Sequence, residues 1–109
     1  MKPLLPSLRE KKRYLVFEVI SKKELTSMPY KEIEESMCKL HGEIGLGRAG
    51  LIFLKNKWNK MKQRGIIKVN YKYVDKLRAA LCSVHKRDTI IKSVGVSGIL
   101  KKAEVKYLG

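Results

Sequence analysis

The stretch RYLVFEVIS, residues 13–21, is aromatic and β-branched, and its alternation puts Leu15, Phe17 and Val19 on one face. That is the pattern of a half-buried strand with one side made to pack under helices. Upstream, residues 1–12 carry Pro3, Pro6 and most of the run Arg9-Glu10-Lys11-Lys12-Arg13, and read as an extended basic arm outside the core. Downstream, Ser27 and Pro29 mark a helix start, and Ile33, Met37, Leu40 and Ile44 recur at helical spacing. Gly42, Gly45, Gly47 and Gly50 are expected to end that helix and form a glycine-rich link.

Leu51 to Trp58 reads as a second strand and GIIKVN, residues 65–70, as a third, with a polar hairpin between them. Val74, Leu77, Leu81 and Val84 space a second helix, and Thr89 to Val96 a fourth strand. Ser97 to Leu108 is read as a short helix capped by Ser97, with a further extended segment as the alternative. The order βαββαβ plus a tail predicts an α+β fold of the ferredoxin-like or RNA-recognition-motif type, a four-stranded antiparallel sheet with two helices on one face. The expected organisation is a basic arm over residues 1–12, one domain over 13–96 and a basic tail over 97–109. This fold hosts many functions and supplies none by itself. The third strand lacks the aromatic pair that stacks bases in the standard RNA-recognition motif, so sequence-specific stacking on the sheet is not expected.

Charge narrows the field. In 109 residues, 25 Lys and Arg face 10 Asp and Glu, a formal charge of +15. At 44% hydrophobic the chain should fold around one core, yet a domain this basic repels itself and calls for a polyanion. Nucleic acid fits, because each neutralised phosphate releases condensed counterions. No apolar run approaches the roughly 20 residues of a spanning helix, and the start shows no secretory pattern. A cytoplasmic protein without a membrane partner is expected.

The charge is also segregated. Glu24, Glu32, Glu34, Glu35 and Glu43 place half of the acids around the first helix. From Ile44 through Val74 there is no acid, while Arg48, Lys55, Lys57, Lys60, Lys62, Arg64, Lys68 and Lys72 accumulate. A solvated surface is the usual meaning of one charge run. Three basic segments (arm, hairpin and the tail with Lys101, Lys102 and Lys106) favour nucleic acid. Lys outnumbers Arg, which suits phosphate attraction better than bidentate base reading. Candidate phosphate contacts are Arg9, Lys11, Lys12, Arg13, Arg48, Lys55, Lys57, Arg64 and Lys68.

Catalytic constellations are not legible. Metal-dependent nucleases need clustered carboxylates, whereas Glu18 is the lone acid in a strand and reads as a polar residue on the open sheet face. Cys38-x-x-His41 and Cys82-x-x-His85 repeat a zinc-like spacing, but antiparallel helices would hold the two pairs at opposite edges. Buried core cysteines are the expectation. Gly45, Gly47 and Gly50 follow a helix and precede a strand, the wrong order for a nucleotide-binding loop. Neither catalytic nor metal-binding residues are expected.

Several segments resemble a known family. Leu8-Arg9-Glu10-Lys11-Lys12-Arg13-Tyr14 running into an apolar strand looks like the start of ribonuclease P protein component 2, as does His41-Gly42 before a glycine-rich turn. Gly65-Ile66-Ile67-Lys68-Val69, then Tyr73-Val74 and Arg78-Ala79-Ala80-Leu81, is the fullest match, and Val96-Ser97-Gly98 before Lys101-Lys102-Ala103 resembles the C-terminal signature. Ile99-Leu100 departs from the Thr-Ile expected there, which removes a hydroxyl and with it one local hydrogen bond or cap. The resemblance spans nearly the whole chain. It implies a subunit of the ribonucleoprotein that removes 5′ leaders from precursor tRNA, with the active site and Mg²⁺ in the RNA. It further implies ribonuclease P RNA, precursor tRNA and ribonuclease P protein component 3 as partners, the last in a heterodimer or heterotetramer. Two rivals are a ribosomal or chaperone-type structured-RNA binder of the same fold, and a small ferredoxin-like ligand-binding or acyl-phosphate enzyme. The first would bind many RNAs equally; the second would show a pocket with a fixed Arg-Asn pair.

Overall fold

The computed structural model describes residues 11–84 and 89–108. Its elements are β1 (Lys12–Ser21), α1 (Tyr30–Ala49), β2 (Ile52–Phe53), β3 (Arg64–Asn70), α2 (Val74–Cys82), β4 (Thr89–Ser97) and α3 (Leu100–Ala103), the last running on as a wide π-type turn, Glu104–Leu108. The strands form one antiparallel sheet in the order β2-β3-β1-β4. This is the ferredoxin-like arrangement, and it makes β1 and β3 the two central strands.

Alternation in β1 sorts the side chains as the sequence predicts. Leu15, Phe17 and Val19 join Ile67 and Val69 of β3 and Ile91 of β4 in a core with Ile33 and Met37 of α1 and Leu77, Ala80 and Leu81 of α2. Burying each large aliphatic side chain of this set contributes about 1.5–3 kcal/mol. The helices are tied directly as well: Ser36 Oγ donates to the Ala80 carbonyl (2.6 Å), and His41 Nε2 to that of Lys76 (3.1 Å).

Four expectations need correction. Gly42 does not end α1. Its φ of 74° and ψ of 172° lie in a region open to glycine alone, and after that kink the helix resumes to Ala49. Gly50, at φ 58°, then closes it in the left-handed conformation. Leu40, just before the kink, and Ile44, just after it, lie outside the core, 47% and 72% exposed. The second strand shrinks to Ile52–Phe53, because a 3-10 turn at Lys55–Lys57 breaks it. Ser97 stands outside the C-terminal helix: its hydroxyl accepts from Ile99 N–H (3.1 Å), one residue before the helix. The cysteines are also not core residues. Cys82 is exposed and Cys38 half-buried, since each follows by one position the residue (Leu81, Met37) that points inward.

The centre of the open face of the sheet is covered, while Ile20, Ile52 and Ile90 on the same face stay exposed. Val16, Ile66 and Ala103 form a second buried cluster, flanked by Tyr14, Leu54, Val94, Leu100, Tyr107 and Leu108. The C-terminal helix thus lies across the face opposite α1 and α2. Three polar contacts fasten it to the β2–β3 connection and the start of β3. Arg64 donates to the Tyr107 carbonyl (2.9 Å), Asn59 Nδ2 to that of Leu108 (3.0 Å), and Lys57 pairs with Glu104 (2.8 Å).

Candidate nucleic-acid interface

The basic residues divide between two ends of the sheet. β3 runs from one end to the other, roughly 20 Å at the usual strand rise. At its Asn70 end, Lys11 stands just before β1 and accepts from Tyr71 N–H, Lys12 begins β1 opposite Asn70, and the last turn of α1 adds exposed Arg48. A β-carbon on Gly50 would fall 2.9 Å from Lys12 Nζ, so this ammonium rests at the C-terminus of α1, where the helix dipole favours a cation. Arg13 is half-buried, its guanidinium donating to the Lys12 carbonyl (3.1 Å). The Tyr71–Tyr73 turn continues this end with exposed Lys72 and leads into α2.

At the other end stand exposed Lys60 and Lys62 together with Lys57 and Arg64. Here the structure engages two of the predicted contacts internally. Arg64 holds Tyr107 and lies 3.6 Å from Glu18, which also meets Lys92 of β4 at 3.6 Å. Glu18 is therefore the centre of a cross-strand charge triad, more than the plain surface residue its isolation in the sequence implied. The Lys57–Glu104 pair lies at the surface, where such a contact contributes at most about 1 kcal/mol.

Lys55 and Lys68 lie between the ends. Lys55 Nζ sits 3.8 Å from the centroid of Tyr30, and Lys68 lies 5.9 Å from that of Tyr14, its cross-strand partner. The structure thus brings Lys11, Lys12, Arg13 and Arg48 to one end and Lys57 and Arg64 to the other. Arg9 lies outside the described residues, as does His85. Sequence reasoning missed Tyr71, whose interleaving with Lys72 was its available signal. Among the described residues, no three His, Cys, Asp or Glu side chains come together as a metal site. No described helix is long and apolar enough to cross a membrane.

A basic α+β domain with a ferredoxin-like sheet, exposed cations at both sheet ends and its own C-terminal helix over the centre of the second face defines a class of protein. The chain belongs to the Rpp14/Pop5 family, whose model matches residues 13–108. It is 36% identical over 112 residues to ribonuclease P protein component 2 of Pyrococcus abyssi, covering 99% of this chain and 93% of that protein. The proteins of the same name from Methanosarcina mazei and Methanosarcina acetivorans are 36% and 38% identical, each over 99% of this chain and over 93% and 82% of their own lengths.

Proposed function

We propose that this chain is an RNA-binding subunit of ribonuclease P that stabilises the catalytic RNA for 5′ maturation of precursor tRNA and does no chemistry itself. The observation carrying this reading is the pair of exposed cationic ends on a domain of the ribonuclease P protein family. Two separated patches of ammonium and guanidinium groups suit two RNA segments that pack closely and repel through their phosphates. Screening that repulsion lowers the Mg²⁺ concentration the RNA needs to reach its active fold, and the metal belongs to the RNA. Lys11, Lys12, Arg13 and Arg48, with Arg9 before them, form the proposed contact at one end. Lys55, Lys57, Arg64 and Lys68 supply the other and the sheet edge between, Lys57 and Arg64 also fastening α3.

The protein partner in this reading is ribonuclease P protein component 3, in a heterodimer or heterotetramer in the cytoplasm. Leu40 and Ile44, exposed on either side of the Gly42 kink, are apolar side chains available for such a contact. The test is the salt dependence of binding to ribonuclease P RNA. The slope of log K against log salt should shallow by about 0.7–0.9 for each contacting cation replaced by Gln. An unchanged slope after neutralising both ends would place the RNA surface elsewhere. Equal affinity for unrelated structured RNAs would favour the ribosomal or chaperone-type reading.

A further inference from the structure

Tyr71 is the only aromatic side chain that is exposed among the described residues, at 43%. Its backbone is held on both sides. The Tyr71 N–H donates to the Lys11 carbonyl (2.8 Å), and the Asn70 side chain, fully buried, accepts from Lys72 N–H (3.1 Å) to cap the turn. Lys72 Nζ lies 5.9 Å from the ring centroid, and Lys11 is exposed just before the adjoining strand β1. The nearest acid along the chain, Asp75, pairs with Arg78 at 3.5 Å.

We infer that Tyr71 is a stacking platform for one unpaired RNA base, with Lys72 and Lys11 holding the phosphates on either side. The inference rests on the RNA-binding reading and adds to it the kind of nucleotide taken. An aromatic face among cations is what a single strand requires, since every base has a π-face and the backbone between bases is anionic. A duplex cannot present a base face laterally without extruding it. The centre of the sheet surface that other domains of this fold use for stacking is covered here by α3, which leaves Tyr14 half-buried and Tyr71 as the exposed ring. The ring's fixed turn lowers the ordering cost on binding.

The experiment compares affinities for an eight-nucleotide single-stranded oligouridylate and an eight-base-pair blunt RNA duplex, using the wild-type chain, Tyr71→Ala and Tyr71→Phe. Tyr71→Ala should weaken single-strand binding about five-fold or more and duplex binding less than two-fold, while Tyr71→Phe retains both. Circular dichroism confirms the fold of each variant. Equal loss on both probes, or no loss on either, overturns the stacking assignment; with intact duplex binding, the RNA-binding reading survives and Tyr71 is left as a protein contact. Failure of the wild-type chain to bind either RNA strikes the RNA-binding reading itself.

Discussion

Replacing Gly95 by alanine should loosen the C-terminal helix from the sheet. A β-carbon at Gly95 would stand 2.1 Å from Tyr107 Oη, 2.2 Å from Cζ and 2.7 Å from Cε1. Carbon contacts are comfortable near about 3.5 Å, so the ring must retreat by more than about 1 Å. It cannot do so alone, because the Tyr107 carbonyl is held by Arg64 and the segment is packed over Val16 and Ile66. Overpacking of this kind costs about 1–3 kcal/mol, against roughly 0.5–1 kcal/mol gained when alanine replaces a strand glycine. The net expectation is a loss of about 1–2 kcal/mol, or roughly 4–16 °C in Tm for a domain of this size. In a Tyr107→Ala background the obstacle is gone, and Gly95→Ala should be neutral or stabilising by about 0.5 kcal/mol. Urea unfolding of the four proteins by circular dichroism, at constant m, measures the coupling directly. An equal cost for Gly95→Ala in both backgrounds would refute the packing of Tyr107 on Gly95.

Three further outcomes follow from other parts of the fold. Gln63→Ala should cost about 2–3 kcal/mol by chemical denaturation, because the buried amide joins the Leu25 N–H and carbonyl to the Lys60 carbonyl and its loss leaves those groups unmatched. Gly42→Ala should cost about 1–3 kcal/mol in the same assay, through backbone strain alone, since nothing lies within 4 Å of the added carbon. In the folded protein a thiol reagent should modify Cys82 well before Cys38, with mass spectrometry after brief labelling as the readout; the reverse order would contradict the placement of α2.

The sequence exposed the parts of the fold that rest on local periodicity. Leu15, Phe17 and Val19 at period two, and Leu77 and Leu81 at helical spacing, made β1 and α2 legible because each apolar face is contiguous along its own element. Gly42 misled because glycine reads as a breaker, whereas here its positive φ lets a helix bend and resume. The cover on the second sheet face was invisible for a different reason. Val16 and Ile66 look like routine strand residues until Ala103 and Tyr107, from the far end of the chain, are seen against them. The candidate site divides in the same way. Its charge could be counted from the sequence, but the partners of Arg64 and Lys57 are Glu18, Tyr107 and Glu104, each more than forty residues distant, and no spacing rule joins them. Tyr71 needed the exposure of the other aromatics for contrast.

Support of a catalytic RNA by this chain is tested by cleavage of precursor tRNA by reconstituted ribonuclease P RNA and protein subunits at limiting Mg²⁺, with and without the chain. Cleavage should fall sharply when the chain is omitted, recover as Mg²⁺ is raised, and be absent with the protein alone. Undiminished cleavage on omission, with the remaining subunits active, would contradict that role.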